Sequence, residues 1–335
     1  MAVSIRDVAQ RAGVSVGTVS NVLNRPDEVS ADSVDRVSRA IDELGYVRND
    51  AARKLRAGVS TTVGFIVLDG QNPFYNDVVR GAEDEASRHG IAILYGNTDE
   101  DPRRESMYFD LFHEQQVRGL LVIPYGDVIS RLRRLNASGI ATVLVDRFSA
   151  DSGVSSVSID SVAGGRLAVE HLVDIGRRRI AFVGGPFDIR LVNDRLAGAR
   201  SAAENAAVNV DLQVVATSAL SVEEGAAAGA RILARPRREW PDAIFAANDM
   251  LALGVLQTLM SEGRMLVPDD IALIGFDDIP FAAAAAVPLS SIRQPARMIG
   301  RTALRIVLEE AADPESIPRR TVFPPELVVR RSTGG

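Results

Sequence analysis

The sequence of 335 residues predicts a small all-α head followed by an α/β core of two doubly wound parallel-sheet subdomains. Apolar residues recur at helical spacing up to Leu44, whereas from Thr62 onward short continuous apolar runs alternate with amphipathic stretches. Strands that are buried on both faces form such runs, and the helices between them imply parallel pairing. These strands are too numerous for one sheet, so we expect two similar subdomains with a cleft between them. The predicted strands span residues 63–69, 91–97, 119–124, 141–146, 180–185, 243–249 and 271–277.

The composition excludes several classes of protein. An apolar content of 46% and a charged content of 24% are typical of a globular protein, and the absence of Cys excludes disulfides and Cys-ligated metals. The histidines, His89, His113 and His171, lie far apart in the sequence, so we expect neither a metal site nor a cofactor. The N-terminus lacks the apolar segment of a signal peptide, and no apolar run is long enough to span a membrane. These features predict a cytoplasmic protein with no membrane partner.

The segment from Ile5 to Asn24 predicts two short helices joined by a tight turn. Ser4 can cap the first helix, and Asp7 lies in its first turn, where a carboxylate suits the positive end of the helix. Gly13 lies where the first helix must stop and reverse, and Ser15 can cap the second helix. Two helices joined in this way form the helix-turn-helix unit, which places its second helix in the major groove of DNA.

The order of residues in this segment is more specific than its shape. Residues 7–24 follow the pattern D-V-A-x-x-A-G-V-S-x-x-T-V-S-x-V-L-N, which resembles the start of the LacI/GalR family of bacterial transcription repressors. The resemblance implies a periplasmic-binding-protein-like core and a homodimer that binds a pseudo-palindromic operator and is released by a small sugar. The alternative is a helical hairpin inside an ordinary core, which would leave Ser, Thr, Asn and Gly on the exposed face unexplained.

The sequence divides into a head, a linker and a core. A third helix is expected, with Ser30 as its side-chain cap and Gly45 as its stop. We predict a helix-turn-helix DNA-binding domain at 1–48, a hinge or linker at 49–60, and an effector-binding and dimerisation core at 61–335. The resemblance implies crossings near 160, 292 and 323, giving an N-subdomain of about 61–160 and 293–322 and a C-subdomain of about 161–292 and 323–335. The chain ends without a heptad repeat, which favours a dimer over a coiled-coil tetramer.

The linker combines marginal helicity with positive charge. Residues 49–58 are too few for a stable isolated helix. The resemblance favours a hinge helix that forms on operator DNA, and a plain flexible linker is the alternative. In the family, the leucine that matches Leu55 inserts into the minor groove at the operator's centre; burial against the core is the alternative. Although the whole chain has a net charge of −6, this region carries a basic cluster suited to phosphates: Arg48, Arg53, Lys54 and Arg56.

The second helix of the head carries the predicted base contacts. Val16, Gly17 and Asn21 align with the family's variable base-reading positions. Asn21 can bond the N6/N7 edge of adenine, and Val16 can contact a thymine methyl group unless it packs inside the head. Neighbouring hydroxyl groups are expected to contact phosphates. The predicted DNA-binding residues are Ser4, Ser15, Val16, Gly17, Thr18, Ser20, Asn21, Arg53 and Leu55.

Polar residues follow the predicted strands where each strand ends. Parallel-sheet proteins bind ligands at the carboxyl ends of strands, so we expect these side chains to meet in the cleft. The set resembles that of the ribose-binding proteins and the ribose repressor subgroup, with an asparagine, two aromatics, Asp-Arg, Arg, Asn, Asp and Gln. The predicted effector-binding residues are Asn72, Phe74, Tyr75, Asp146, Arg147, Arg195, Leu220, Asn248, Asp277 and Gln294.

The chemistry of this set suits a neutral sugar. A polyol offers donors and acceptors on every carbon, and two Asp with two Arg nearly cancel in charge. Leu220 stands where the family's third aromatic would fall, so another pentose, a polyol or a nucleoside remains an alternative to ribose. Release by the sugar is expected, and a corepressor-type response to a nucleoside or purine is the alternative.

Other functions match the sequence poorly. Gly13–Gly17 fits the G-x-S-x-G pattern of a nucleophile elbow, but that motif requires a preceding strand and here a helix precedes it, so we expect no enzyme. Asp277-Asp278 has no further metal ligands nearby in sequence, and Asp99-Glu100-Asp101 is expected to form a solvated loop. A transport-system sugar-binding protein would need an export signal and no DNA-binding head.

Overall fold

The computed structural model describes residues 3–46, 60–147, 153–261 and 265–335. The chain forms two compact units, which divide between Val59 and Ser60. The first unit contains the helical head and the second contains the α/β core. Within the described ranges, none of the helices has the length and apolar character that a membrane crossing requires.

The head has three helices around a small apolar core. They are α1 (Ile5–Ala12), α2 (Val16–Asn24) and α3 (Ala31–Leu44), with a 3₁₀ turn at Pro26–Glu28. Val8, Val19 and Val37, one from each helix, are fully buried together. Arg36 of α3 donates hydrogen bonds to the carbonyl oxygen of Ala12 at 2.6 and 3.0 Å, and therefore satisfies the C-terminal end of α1.

Local capping explains where α1 begins and ends. The N–H of Asp7 donates to the Ser4 hydroxyl at 3.4 Å, and the N–H of Ser4 donates to the Asp7 carboxylate at 2.8 Å, which completes a capping box. Gly13 follows the helix with a φ of 64°, in the left-handed region that glycine adopts without strain. These predictions of the sequence are confirmed.

The other two helices of the head also begin at serines. The N–H of Thr18 donates to the Ser15 hydroxyl at 3.0 Å, so Ser15 caps α2 as predicted. Ser30 occupies the N-cap position of α3, but its hydroxyl donates to Ser33 at 3.0 Å and makes no capping bond to the backbone. The predicted start of α3 is therefore correct, and the predicted side-chain cap is wrong.

The first lobe of the core is built on six parallel strands. They are β1 (Thr62–Val67), β2 (Ala92–Asn97), β3 (Gly119–Val122), β4 (Ala141–Val145), β5 (Ser155–Ile159) and β11 (Arg320–Phe323). Their order in the sheet is β11-β5-β4-β3-β1-β2. The helices of this lobe are α4 (Pro73–Arg88), α5 (Pro102–Glu114), α6 (Ile129–Ala137) and α12 (Ala296–Ala312).

The second lobe repeats this plan. Its strands are β6 (Arg179–Gly184), β7 (Asp211–Ala216), β8 (Ala243–Ala246), β9 (Ala272–Asp277), β10 (Ser290–Arg293) and β12 (Glu326–Val328). Their order is β12-β10-β9-β8-β6-β7, and β12 alone of these strands runs antiparallel to its neighbour. The helices are α7 (Ser161–Asp174), α8 (Arg190–Glu204), α9 (Val222–Leu233), α10 (Asp249–Ser261) and α11 (Pro280–Ala284), with 3₁₀ turns at Arg237–Glu239 and Arg331–Thr333.

Three crossovers connect the lobes. The chain passes to the second lobe between β5 and α7, returns between β10 and α12, and passes again between β11 and β12. The crossovers start from β5, β10 and β11. Each of these is either the edge strand of its sheet or the strand next to that edge. The opposite edges, formed by β2 and β7, have no connection between the lobes in the described part of the chain.

All seven predicted strands are present, and the predicted fold class is confirmed. Residues 289–293 are strand-like in sequence and contain β10, whereas β5, β7, β11 and β12 were not predicted. In β5 three serines interrupt the apolar pattern, yet Ser155, Ser156 and Ser158 are all buried. The hydroxyl of Ser155 donates to Glu310 and accepts from the N–H of Arg319, so distant parts of the chain satisfy this buried hydroxyl.

Candidate functional site

The structure brings most of the predicted effector-binding residues together where the two lobes meet. The residues that are buried are Asn72, Phe74, Tyr75, Asp146, Arg195, Leu220, Asn248, Asp277 and Gln294, and Arg147 is partly buried. Polar and ionisable groups are seldom buried unless they have partners. The concentration of such groups makes this junction the candidate effector site.

Asp277, the last residue of β9, is the centre of a buried polar network. Its carboxylate accepts a hydrogen bond from the Gln294 amide at 2.7 Å and from the Asn72 amide at 3.3 Å, and it lies 3.6 Å from a terminal nitrogen of Arg195. Asn72 belongs to the first lobe, whereas Arg195 belongs to the second. Burial raises the pKa of Asp277, and the Arg195 guanidinium and the two amides act in the opposite direction.

Arg195 is the largest fully buried side chain of the described residues. It donates to the carbonyl oxygen of Ala247 at 2.6 Å, and its guanidinium lies 3.7 Å from the centre of the Phe276 ring. A buried guanidinium requires such a set of partners because its desolvation is costly. Its Nε atom has no hydrogen-bond partner among the described residues.

Two asparagines serve local structure as well as the site. The side-chain oxygen of Asn72 accepts a hydrogen bond from the N–H of Phe74 at 3.0 Å and caps α4. In the same way Asn248 accepts from the N–H of Leu251 at 2.9 Å at the start of α10, and its amide donates to the carbonyl oxygen of Leu220 at 3.1 Å. Each asparagine therefore stabilises the start of a helix. Asn72 also connects the two lobes through its hydrogen bond to Asp277.

A cavity of about 330 Å³ lies at the carboxyl ends of β3, β4 and β5 and beside the start of α7 and α8. Of the predicted effector-binding residues, only Asp146 and Arg147 line it. Arg147 donates to the carbonyl oxygen of Gly126 and lies 3.8 Å from Asp127. The cavity takes residues from both lobes, which is the arrangement expected for a ligand in a cleft.

Asp146 is the unusual group of this cavity. It is only 4% exposed, it has a left-handed φ of 55°, and neither carboxylate oxygen has a hydrogen-bond partner among the described residues. Burial raises the pKa of Asp146 to about 7; the nearby charge of Arg195 lowers it and that of Asp277 raises it further. At neutral pH this carboxyl group can therefore both accept and donate a hydrogen bond.

Several residues that line the cavity were missed by the sequence analysis. Tyr125 follows the predicted strand 119–124, so the strand-end rule could have found it. Asp160 and Ser161 follow β5, which was not predicted, and Arg190 and Asp194 form an ion pair at 3.7 Å on the first turns of α8. The remaining lining residues are Ile123, Pro124, Ile159, Val162, Ile189, Leu191 and Val322.

The other predicted residues do not line this cavity. Phe74, Asp277 and Gln294 line a second cavity of about 360 Å³ beside the start of α12. Tyr75 packs edge-on against Phe74, with ring centres 5.2 Å apart, and burial raises the pKa of its hydroxyl. Leu220 is buried, and its backbone carbonyl oxygen accepts the hydrogen bond from the Asn248 amide. The predicted site is thus divided between a network and a cavity.

Two acidic segments have partners that the sequence did not reveal. Asp278 forms ion pairs of 2.7 Å with both Arg293 and Arg330, so its charge is already compensated. In the expected solvated loop at 99–101, Glu100 is partly buried and Asp99 forms an ion pair of 3.1 Å with Arg104. The described residues contain no group of three or more His, Asp or Glu side chains arranged to hold a metal ion.

In the head, the candidate DNA-reading surface is exposed at the start of α2. Val16 is 37% exposed, and Gly17 and Asn21 are also exposed, so none of the three is used to form the head's core. The predicted phosphate contacts Ser4, Ser15, Thr18 and Ser20 are exposed or partly exposed. Arg53 and Leu55 lie outside the described residues. Because α1 precedes Gly13, the nucleophile-elbow geometry is absent there.

Comparison with known proteins agrees with both units. Residues 4–49 match the family model described as bacterial regulatory proteins, lacI family, and residues 169–333 match the model of a periplasmic binding protein-like domain. The HTH-type transcriptional repressor PurR of Vibrio campbellii is 33% identical over 331 residues, which cover 98% of each chain. The ribose operon repressor of Escherichia coli is 32% identical, covering 98% of this chain and 99% of that one.

Solved structures show the same relationship. The lac repressor dimer bound to operator and the anti-inducer ONPF has a TM-score of 0.84 at 25% identity and covers 99% of each chain. A LacI family transcriptional regulator from Enterococcus faecium with bound ribose has a TM-score of 0.73 at 26% identity, covering 81% of this chain and 98% of that one. The chain therefore belongs to the lacI family of bacterial regulatory proteins, and it is a DNA-binding transcriptional regulator rather than an enzyme.

Proposed function

We propose that this protein is a dimeric cytoplasmic repressor that binds a pseudo-palindromic operator and is released when a small neutral polyol, such as a ribose-like pentose, occupies the interlobe cavity. The observation that carries the proposal is Asp146, a buried carboxylate with no hydrogen-bond partner among the described residues, in a cavity formed by both lobes. Sugar hydroxyls can both donate to and accept from such a group.

The charge and size of the cavity support a neutral, small ligand. Asp146, Asp160 and Asp194 face Arg147 and Arg190, and burial raises the pKa of Asp146 and of Asp194. The lining is therefore close to neutral overall. A volume of about 330 Å³ lies near the lower end of ligand pockets, which span roughly 300–1,000 Å³, and this favours a monosaccharide over a disaccharide.

The proposed mechanism couples the cavity to the head through the lobes. Each head would place α2 in the major groove, with Val16, Gly17 and Asn21 facing base edges and the hydroxyl groups facing phosphates. Residues 49–58 would form a hinge helix on operator DNA, with Leu55 in the minor groove and Arg53 near phosphate. An effector that changes how the lobes meet would alter the spacing of the hinges, and coupling of about 1–3 kcal/mol is typical.

A second candidate is a corepressor-type regulator that responds to a nucleoside or purine. The similarity to PurR of Vibrio campbellii, 33% identity against 32% for the ribose operon repressor, supports this candidate. The hydrogen-bonding groups of the cavity, among them Asp146, Asp160 and Arg190, favour the polyol.

The test combines operator selection with ligand screening. DNA selected by the full-length protein from a random library should contain a two-fold symmetric site, and D-ribose should weaken its mobility shift. At a hundredfold excess over Kd, a true effector should raise the Tm of the core by about 5–10 °C. Pentoses, hexoses, polyols and nucleosides are compared, and a purine nucleoside that tightens the mobility shift would overturn the inducer proposal.

Leu55→Ala is the matched variant for this test. We expect it to weaken operator binding several-fold because the apolar wedge is lost, while the effector-induced rise in Tm stays the same. Unchanged operator binding would contradict the role proposed for Leu55.

A further inference from the structure

Two buried side chains bind the backbone of the turn that follows β9. Asp249, in the first turn of α10, accepts a hydrogen bond from the N–H of Ile279 at 2.9 Å through one carboxylate oxygen. Its other oxygen accepts from the Ser291 hydroxyl of β10 at 2.7 Å, and the Ser291 oxygen accepts from the N–H of Asp278 at 3.0 Å. The N–H groups of both residues that follow Asp277 are therefore bound to these two side chains, which we call the Asp249–Ser291 pair.

The backbone conformation of this turn depends on such contacts. Asp277 and Asp278 have φ values of 106° and 56°, in the left-handed region that non-glycine residues seldom adopt. Residues persist in this region where the surrounding structure determines them. Pairing of β9 with β10 holds the chain as far as Asp277, and the Asp249–Ser291 pair holds the two residues after it. The chain is thus held on both sides of the carboxylate that meets Asn72 of the first lobe at 3.3 Å.

The position of Asp249 in a helix does not explain why it is buried. The positive end of a helix favours an acidic residue in the first turn, but such a residue can remain in solvent, whereas Asp249 is fully buried. Burial raises the pKa of Asp249 well above its ordinary value, and the Ser291 hydroxyl and the Ile279 N–H act in the opposite direction. An apolar side chain of similar volume would be buried at a lower cost, so we attribute the carboxylate to the two hydrogen bonds that it accepts.

Gly275 provides the space for this contact. It lies in β9, two residues before Asp277, and pairs with Ser291 in β10. A Cβ atom at Gly275 would lie 2.1 Å from Oδ1 of Asp249, the oxygen that accepts from Ser291. Glycine inside a strand has no side chain to pack and often marks a close approach of another group. The residue at this position is therefore matched to the buried carboxylate.

We propose that the Asp249–Ser291 pair is a positioning unit that fixes the carboxylate of Asp277 toward the first lobe, and so sets how the two lobes meet at the effector site. The described residues that line the two cavities at this junction include neither side chain of the pair, so the pair acts through Asp277. The inference rests on the proposed function in that the junction binds an effector, whereas the effect on the contact between Asn72 and Asp277 is independent of it.

A double-mutant cycle between Ser291 and Asn72 tests this without any effector. Ser291→Ala removes the hydroxyl of the pair, and Asn72→Ser removes the amide that donates to Asp277 while keeping a cap for α4. In wild type, Asn72→Ser should lower the Tm of the core by about 2–4 °C. In the Ser291→Ala background it should lower the Tm by less than about 1 °C, because Asp277 no longer holds the position that Asn72 reaches.

Ser290→Ala is the matched control. Ser290 precedes Ser291 in β10 and is also fully buried, but its hydroxyl binds the Arg330 carbonyl oxygen and the Thr333 hydroxyl instead. Each serine variant alone should lower the Tm, and only Ser291→Ala should cancel the effect of Asn72→Ser. An undiminished effect of Asn72→Ser in the Ser291→Ala background would overturn the proposal. Cancellation in both serine backgrounds would also overturn it, since it would indicate a general loosening of β10.

Asp249 is tested by the same cycle. Asp249→Asn keeps an oxygen for the Ile279 N–H and an amide that can donate to the Ser291 hydroxyl, so Asn72→Ser should still lower the Tm in this background. Asp249→Ala keeps neither group and should cancel the effect. Equal results for the asparagine and alanine variants would contradict the role of Asp249, and the Ser291 cycle decides the proposal if Asp249→Ala does not fold.

D-ribose binding supplies a separate measurement at the effector site. Wild type and Ser290→Ala should bind D-ribose with similar Kd, and Ser291→Ala should bind it about tenfold more weakly. Equal Kd values for the two serine variants would contradict a role of the pair at the effector site. If wild type does not bind D-ribose, the proposed effector is wrong while the Tm cycle keeps its meaning, so the two proposals fail separately.

Discussion

Asp146 and Asp277 occupy corresponding places in the two lobes. Each follows or ends the third strand of its sheet, counted from the edge near the crossovers, and each is buried to 4% exposure. Both have positive φ, 55° for Asp146 and 106° for Asp277, and burial raises the pKa of both. The repeated fold therefore places an equivalent carboxylate on each side of the junction between the lobes.

The two carboxylates differ in their partners. Asp277 has two amide donors and the Arg195 guanidinium, and one of the donors comes from the other lobe. Asp146 is among the residues that line a cavity, and its carboxylate oxygens have no hydrogen-bond partner among the described residues. A satisfied buried carboxylate stabilises the arrangement of its partners, whereas an unsatisfied one lowers stability and is available to a ligand. We therefore propose that the same strand-end position serves structure in the second lobe and effector binding in the first.

The largest expected effect is at Asp277. Asp277→Ala removes the partner of Asn72, Gln294 and Arg195 and leaves a buried guanidinium without its counter-ion. We expect the free energy of unfolding of the core to fall by about 3–5 kcal/mol, measured by urea denaturation at pH 7. Effector binding should be lost as well, because the network no longer holds the lobes in register.

Asp269→Ala is the control for Asp277→Ala. Asp269 is an exposed carboxylate of the same lobe, and its replacement should change the free energy of unfolding by less than about 0.5 kcal/mol. If Asp277→Ala lowered the free energy of unfolding no more than Asp269→Ala does, the network would contribute little to stability.

Replacement by asparagine should raise the free energy of unfolding at Asp146 and lower it at Asp277. Asp146→Asn removes a carboxyl group whose folded pKa of about 7 lies above its ordinary value of 3.8. The wild-type protein loses stability as the pH rises from the ordinary pKa through the folded pKa. Between pH 5 and pH 8 the free energy of unfolding of Asp146→Asn should therefore rise by about 2–3 kcal/mol relative to wild type. Urea denaturation at both pH values measures this, and effector affinity should fall.

Asp277→Asn provides the matched comparison. An asparagine cannot accept from the amides of both Asn72 and Gln294, since one of its two positions is itself a donor. We expect the free energy of unfolding of this variant to fall by about 1–3 kcal/mol. A gain at both positions, or a loss at both, would remove the distinction between the satisfied and the unsatisfied carboxylate.

The elements that were predictable from sequence are those with local causes. Ser4, Gly13 and Ser15 fix the helix ends of the head through contacts three or four residues away, so their pattern is visible in the chain. Strands buried on both faces appear as apolar runs. β5 was missed because Ser155 is satisfied by Glu310 and Arg319, which lie far away in the sequence.

The strand ends predicted which candidate residues meet at the junction between the lobes, but not how those residues are arranged. The strand-end rule found Asp146 and Asp277, yet it could not show that one has partners and the other has none. The Asn72 and Asp277 side chains, which meet at 3.3 Å, are 205 positions apart in the chain. Contacts between lobes depend on how two sheets meet, and no local pattern records this.

The smallest effect should come from the first-lobe partner of Asp277. Asn72→Ser keeps a good N-cap for α4 but removes the amide that donates to Asp277 at 3.3 Å, so we expect a loss of about 0.5–1.5 kcal/mol in urea denaturation. Asn72→Ala removes the cap as well and should lose roughly a further 1 kcal/mol. If Asn72→Ser matched wild type while Asn72→Ala did not, Asn72 would act only as a cap, and the network around Asp277 would contribute nothing across the lobes.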